Sequence, residues 1–90
     1  MRVENFKSDK GNYVPNQFII NDDENNLEYF QSYKTMIAKI DWFKNKIYLD
    51  ENFWDYSVTT SRYRNKFLGL NTKEIKSKIK NNEIQLINLN

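Results

Sequence analysis

Residues 37–50, IAKIDWFKNKIYLD, contain the clearest structural pattern in this chain of 90 residues. Alternating β-forming residues lie in the two segments 37–41 and 46–50, and four residues connect the segments. Two alternating segments joined by so short a connection are typical of a β-hairpin. The sequence therefore predicts an antiparallel sheet as the framework of the fold.

Two aromatic residues, Trp42 and Phe43, lie at the predicted tip of this hairpin. They either fold back on the core or form an exposed apolar patch, and an exposed patch is typical of a surface that binds a partner. Trp42 and Phe43 are therefore the first two candidate partner-binding residues.

The residues before the hairpin predict further strands. Residues 13–20, YVPNQFII, favour a strand in which Pro15 lies at an edge or at the strand start, because proline has no backbone N–H to donate. The polar residues 21–26 are typical of a turn. Residues 27–41 alternate with a change of phase, which indicates either a bulge near residues 32–35 or a break into two strands.

The residues after the hairpin predict a helix within the stretch 54–68, WDYSVTTSRYRNKFL. Thr59 or Thr60 is the predicted N-cap, and Gly69 is placed to end the helix. The apolar residues that recur at helical spacing are Tyr63, Phe67 and Leu70.

A second helix is predicted from Asn71 onward, because Asn71 and Glu74 have the spacing of a capping box. Ile75 and Ile79 are its inward residues, and residues 83–89 alternate as a closing strand.

These patterns predict one α+β domain over residues 1–90, with two short helices on one face of a small antiparallel sheet. We expect about four strands and the element order β-β-β-α-α-β. Residues 1–10 are polar and unpatterned, so we expect them to form a flexible arm.

Positive charge is concentrated in residues 57–80, which contain seven basic residues and one acidic residue, whereas residues 21–56 contain four basic and eight acidic ones. Charge separated in this way steers an acidic partner. The alternative is that the cations only keep two surface helices solvated. The basic candidates for contact with a protein partner or with nucleic-acid phosphates are Arg62, Arg64, Lys66, Lys73, Lys76 and Lys80, all expected on the outward sides of the helices.

The chain has few of the residues that enzymes commonly use in their active sites, since it contains no histidine, no cysteine and only two glycines. No phosphate-binding loop or known nucleophile motif is present. Mg²⁺ prefers oxygen ligands, and the acids near predicted strand ends are Asp41, Asp50, Glu51 and Asp55. Acids are common at such positions in β-proteins, so we predict no enzyme activity, no metal and no cofactor.

No segment resembles a signal peptide, and nowhere do eighteen apolar residues follow one another. With no cysteine to form disulfides, this pattern predicts a soluble cytoplasmic protein without a membrane partner.

Residues 29–90 resemble a group of small, uncharacterised domains found in bacteriophage and mobile-element proteins. The resemblance rests on YFQSYKTMIAKID, KIYLD and WDYSVTTSRYRNKFLG, followed by the lysine-rich helix and the terminal strand. It does not extend to residues 1–28. The group has no established activity, so the resemblance implies a phage or prophage gene and supplies no catalytic residues.

Two functions therefore stay open. The first is a small non-enzymatic inhibitor of a host defence protein or protein–nucleic-acid machine, similar to anti-CRISPR proteins. The alternative is an accessory protein that binds nucleic acid through the basic helices of residues 60–80.

Overall fold

In the computed structural model, which describes residues 1–90, a six-stranded sheet is covered on one face by two helices. The strands and helices are β1 (Arg2–Lys7), β2 (Tyr13–Asp22), β3 (Leu27–Ser32), β4 (Thr35–Asp41), β5 (Lys46–Asp50), α1 (Val58–Leu68), α2 (Thr72–Lys80) and β6 (Ile84–Ile87). Neither helix is long and apolar enough to cross a membrane.

The sheet has the strand order β1-β2-β3-β4-β5-β6. Neighbouring strands from β1 to β5 are antiparallel, as consecutive hairpins require, whereas β6 is parallel to β5 because the two helices return the chain to the same end of the sheet. The α+β class is confirmed. The prediction of about four strands in a purely antiparallel sheet is wrong, since the sheet has six strands and one parallel pair.

The N-terminal residues form a strand, so the prediction of a flexible arm is wrong. β1 pairs with β2 at the edge of the sheet, and Phe6 is buried. The Phe6 ring lies 5.5 Å from that of Phe30 in an edge-to-face arrangement and 5.4 Å from that of Tyr63. An edge strand needs to bury only one large residue here, which is why residues 1–10 show no apolar pattern.

The phase change in residues 27–41 is a break into two strands, as one of the two explanations predicts, whereas the bulge lies outside the predicted residues 32–35. The chain breaks into β3 and β4 at a two-residue turn, and the pairing of these strands also shifts between Phe30 and Gln31. Tyr33 occupies the turn with a positive φ of 56°. Pro15 lies near the start of β2, as expected, outside the residues that pair with β1.

Asparagines hold most of the other left-handed positions in the chain. Positive φ values are found at Asn26 in the β2–β3 turn, Asn45 in the β4–β5 turn and Asn82 after α2. Asparagine tolerates this conformation better than most residues because its short side chain bonds to the local backbone. The predicted turn at 42–45 is confirmed, whereas of the turn predicted at 21–26 only residues 23–26 are a turn, because β2 continues to Asp22.

The helix ends agree with the sequence except at the start of α1. Its N-cap is Ser57, whose hydroxyl accepts the backbone N–H of Thr60 at 3.1 Å, rather than Thr59 or Thr60. Gly69 ends α1 with a φ of 68°, as predicted. The capping box of Asn71 and Glu74 is also confirmed.

Thr60 does not cap α1 because its hydroxyl points into the protein. It lies 2.9 Å from the hydroxyl of Ser32 on β3, and both residues are buried. Gln17, which pairs with Ser32 across β2 and β3, is also buried, and its side-chain nitrogen and oxygen have no hydrogen-bond partner. A buried amide group without a hydrogen-bond partner lowers the stability of the folded protein, so Gln17 is a destabilising residue within the sheet.

The core lies between the sheet and the helices. Its buried members are Phe6, Phe30, Ile37, Ala38, Leu49, Tyr63, Ile75 and Ile84. Trp54, Phe67 and Ile79 pack against this cluster but stay partly exposed. The expected inward faces of both helices are therefore the faces that meet the sheet.

Candidate binding surfaces

The aromatic tip, defined as Trp42 and Phe43, projects into solvent from the β4–β5 hairpin. The exposed fraction is 56% for Trp42 and 84% for Phe43. Of the two arrangements that the sequence leaves open, the structure therefore has the exposed apolar patch.

Local hydrogen bonds fix the conformation of this tip. The indole Nε1–H of Trp42 donates to Oε1 of Glu28 at 2.7 Å, and the backbone N–H of Trp42 donates to the carbonyl of Asn26 at 2.9 Å. Oδ1 of Asp41 accepts the backbone N–H of Lys44 at 3.0 Å. The tip is thus tied both to itself and to the adjacent β2–β3 turn.

A pocket of about 300 Å³ adjoins the aromatic tip on the helix side of the sheet. Its wall is mixed, and the polar residues in it are Asn45, Lys46, Lys78 and Glu83. Trp42 forms part of its wall. The other apolar residues in the wall are Ile40, Ile47, Leu68 and Ile84, which come from β4, β5, α1 and β6. Elements distant in sequence therefore meet beside the tip.

The basic helix face consists of Arg62, Lys66, Lys73, Lys76 and Lys80, all of which are exposed. On α2 the three lysines lie on the side opposite Ile75 and Ile79, as helical spacing requires. These five cations occupy the outward side that the sequence predicts for them.

Two of these cations, Arg62 and Lys76, line one open cleft of about 620 Å³ between the start of α1 and α2. Its other lining residues are mostly polar and include Tyr56, Asn65 and Thr72. Lys66 is placed differently, because its ammonium group is 3.6 Å from Asp9 and lies over the ring of Tyr63 at 5.4 Å. Helical spacing places Arg62 and Lys66 on one row of α1, whereas the cleft brings Arg62 together with Lys76 of α2.

Arg64 does not belong to the basic helix face, so its predicted outward position is wrong. Its exposed fraction is 0%, because it lies on the same side of α1 as Thr60, which points into the protein. The guanidinium donates to the carbonyl of Trp54 at 2.6 Å, to Oδ1 of Asp55 at 3.1 Å and to the hydroxyl of Thr72 at 3.1 Å. Arg64 therefore joins the loop before α1 to the start of α2.

The acids considered for Mg²⁺ do not converge, and no group of three acidic side chains could hold a metal ion. Asp50 is 1% exposed and accepts four hydrogen bonds, from the backbone N–H groups of Asn52, Phe53 and Leu89 and from the side chain of Asn90. Burial raises the pKa of Asp50, but these hydrogen bonds together outweigh burial, so its pKa is lowered. Asp50 stabilises the end of β5 and the C-terminal residues.

The open sheet face is a surface that the sequence analysis missed. It is the face turned away from the helices, and the row of paired residues that crosses its centre is Val3, Ile20, Tyr29, Lys39, Tyr48 and Gln85. Finding this row requires the register of six strands. The available signal was the alternation of Tyr29 and Lys39 with the buried residues beside them.

The fold and these surfaces define a small α+β domain with a mixed six-stranded sheet. Residues 1–83 match the model of a family of unknown function, DUF8033, and the chain belongs to this family. The match shows a small domain of unknown function, and it includes residues 1–28, to which the resemblance did not extend. No curated protein and no solved structure matches the chain.

Proposed function

We propose that this protein is a small non-enzymatic binding protein of bacteriophage type that inhibits a host defence protein or protein–nucleic-acid machine in the host cytoplasm. The observation that carries the proposal is the exposed aromatic tip at residues 42 and 43. Trp and Phe are enriched at the centres of protein interfaces, and soluble monomers rarely expose such residues side by side.

The conformation of the tip supports the proposal further. Trp42 is hydrogen-bonded to Glu28, and Asp41 closes the turn, so little conformational freedom is lost when a partner binds. Phe43 is free to enter a pocket of the partner, while a partner side chain occupies the pocket beside Trp42, whose wall is partly apolar and partly charged. Anchors of this kind usually supply most of an interface's binding energy.

Phe43→Ala is expected to weaken partner binding by at least about 2 kcal/mol, or roughly thirtyfold, because it removes an anchor of the interface. The variant should still fold, because a residue as exposed as Phe43 contributes little to the stability of the free protein. The measurement is affinity capture from nuclease-treated host lysate, followed by titration of the captured protein. Val58→Ala is the matched control, since Val58 is 89% exposed on α1, away from the tip. Equal capture by wild type and Phe43→Ala would contradict the proposal.

The capture experiment measures binding only, so inhibition of a host defence system has to be measured separately. Expression of the wild-type chain in a bacterium with an active defence system is expected to raise the plating efficiency of a sensitive phage, and Phe43→Ala is expected to abolish that increase. If Phe43→Ala loses the captured partner but the wild-type chain does not change the plating efficiency, the protein binds a partner through the aromatic tip and does not inhibit that defence system.

A second candidate function, nucleic-acid binding, is favoured by the cleft in which Arg62 and Lys76 meet. Neither cation forms an ion pair with a carboxylate of this chain. Both charges are therefore available to phosphate groups.

If the cleft binds nucleic acid, Arg62→Glu/Lys76→Glu is expected to abolish that binding. The wild-type log K should change by about 0.7–0.9 per neutralised phosphate for each decade of salt. Fluorescence anisotropy at two salt concentrations measures both effects. Lys10→Glu/Lys34→Glu makes the same change in net charge on exposed turns and should retain binding. If the wild-type chain does not bind nucleic acid, and Arg62→Glu/Lys76→Glu loses a protein partner that the wild type binds, the result would instead favour the inhibitor function.

A further inference from the structure

We propose that the open sheet face binds single-stranded nucleic acid, with Tyr29 and Tyr48 stacking on bases and Lys39 contacting phosphate. This site is separate from the aromatic tip and from the basic helix face. The argument rests on the strand register, the arrangement of these three side chains and the charge of the central row.

The strand register places these residues on the uncovered side of the sheet. Tyr29 pairs with Lys39, and Lys39 pairs with Tyr48, so the three side chains lie side by side on one face. Their chain neighbours Phe30, Ala38 and Leu49 belong to the core beneath the helices. Since successive side chains of a strand point to opposite faces, the row points away from both helices.

The side chains of the central row combine one cation with two aromatic rings. The ammonium group of Lys39 lies 6.0 Å from the ring centroid of Tyr29 and 5.3 Å from that of Tyr48. Lys39 takes part in none of the protein's four ion pairs. Every other residue of the row is uncharged, so Lys39 is the only charge of the central row and forms no ion pair. The neighbouring row of the same face carries Asp22, Asp41 and Lys46.

This charge restricts what can cover the face. A purely apolar partner would bury the Lys39 ammonium without a counter-charge, which is costly. A second copy packed symmetrically over the row would bring two such lysines together. The occupant must therefore supply both negative charge and flat apolar surface.

Single-stranded nucleic acid supplies both. Phosphate pairs with lysine, and any base can stack on an aromatic ring regardless of sequence. Tyr29 and Tyr48 are two strands apart, about 9.5 Å, so each ring can take a separate base. Gln85 on β6 adds an exposed amide able to hydrogen-bond base edges at the end of the row.

The test is fluorescence anisotropy with labelled oligothymidylate and oligouridylate of about 12 nucleotides, added to the whole chain. We expect both to bind, and each of Tyr29→Ala and Tyr48→Ala to weaken binding by roughly 5- to 150-fold. Tyr29→Phe should bind like wild type, since it keeps the ring. Lys39→Gln should reduce the dependence of log K on log salt by about 0.7.

Tyr33→Ala is the matched control, because Tyr33 is an exposed tyrosine in the β3–β4 turn. Thermal melts of all variants establish that they are folded. The proposal is overturned if neither oligonucleotide binds, or if Tyr29→Ala and Tyr48→Ala bind as tightly as wild type. It is also overturned if only Arg62→Glu/Lys76→Glu removes binding, or if the wild-type chain dimerises and Tyr48→Ala is monomeric.

Discussion

Replacing Arg64 with alanine is expected to lower the free energy of unfolding by about 3–5 kcal/mol, because it opens a cavity and leaves buried hydrogen-bond acceptors without a donor. A domain of this size has a total of about 5–13 kcal/mol. The variant should therefore melt far below the wild type, since each kcal/mol shifts Tm by about 4–8 °C. Thermal and urea denaturation followed by circular dichroism measure the loss.

The loss comes from several contacts at once. The carbonyl of Trp54 and the hydroxyl of Thr72 each lose a hydrogen bond from the guanidinium, and a cavity opens under the ring of Trp54, which lies 5.3 Å from Arg64. The ion pair with Asp55 contributes less, because the Asp55 side chain is 37% exposed and regains water. The destabilisation should therefore depend only weakly on salt.

Two further variants separate this role from helix propensity and from charge. Arg62→Ala lies on the exposed side of the same helix and should change stability by less than about 0.5 kcal/mol. Arg64→Lys keeps the charge, but an ammonium group cannot reach acceptors on three sides as the planar guanidinium does, so its stability should be intermediate. Equal melting of Arg64→Ala and Arg62→Ala would show that Arg64 is not buried.

Features decided by neighbouring residues could be predicted from the sequence. The β4–β5 hairpin, the Gly69 helix end and the capping box at Asn71 each depend on a few adjacent residues, and each is confirmed. The predicted N-cap of α1 was wrong because four hydroxyl residues, Ser57, Thr59, Thr60 and Ser61, lie close together in the sequence. Only the position of Ser32 on a distant strand determines that Thr60 points inward.

Features decided by distant pairing could not be predicted. β1 is stabilised by its partner β2 and by the contact of Phe6 with the core, and neither produces a local pattern. The parallel direction of β6 depends on how two helices return the chain. Arg64 was misread because a positive charge usually indicates a solvated position, whereas here the start of α2 supplies part of its hydrogen bonding.

The same distinction applies to the candidate surfaces. The aromatic tip was found because Trp42 and Phe43 are adjacent in sequence at a turn. The open sheet face was missed because Tyr29, Lys39 and Tyr48 come together only through the register of three strands. A surface formed by residues of several strands can be recognised only when it is known which residues of neighbouring strands pair with each other.

Asp50→Ala is expected to destabilise the protein by about 3 kcal/mol, because a buried carboxylate that accepts several hydrogen bonds is removed. The C-terminal residues should also detach from β4, since Asn90 bonds both Asp50 and the backbone of Met36. Hydrogen exchange at the amides of Met36 and Leu89 should then become faster. Glu51→Ala, an exposed neighbour, is the control and should leave both amides protected.

Asp50 also makes a pH-dependent contribution to stability with a definite sign. Its pKa in the folded protein is lowered, so the folded state favours the charged carboxylate. The resulting stabilisation is complete above the pKa of the unfolded chain, about 3.9, and is lost as the pH falls through the lower folded-state value. The protein should therefore lose stability in acid below about pH 4.

Asp50→Asn identifies the source of this acid sensitivity, because the amide does not titrate. The variant should be less stable than wild type at neutral pH, and the difference should narrow as the pH falls, since protonated Asp50 is also neutral. Asp23 contributes in the same direction, because the hydrogen bond from Arg2 lowers its pKa, but this exposed pair is screened at high salt. Urea unfolding at several pH values in high salt therefore isolates Asp50. A difference between wild type and Asp50→Asn that is the same at neutral and acidic pH would mean that the hydrogen bonds to Asp50 do not depend on its charge.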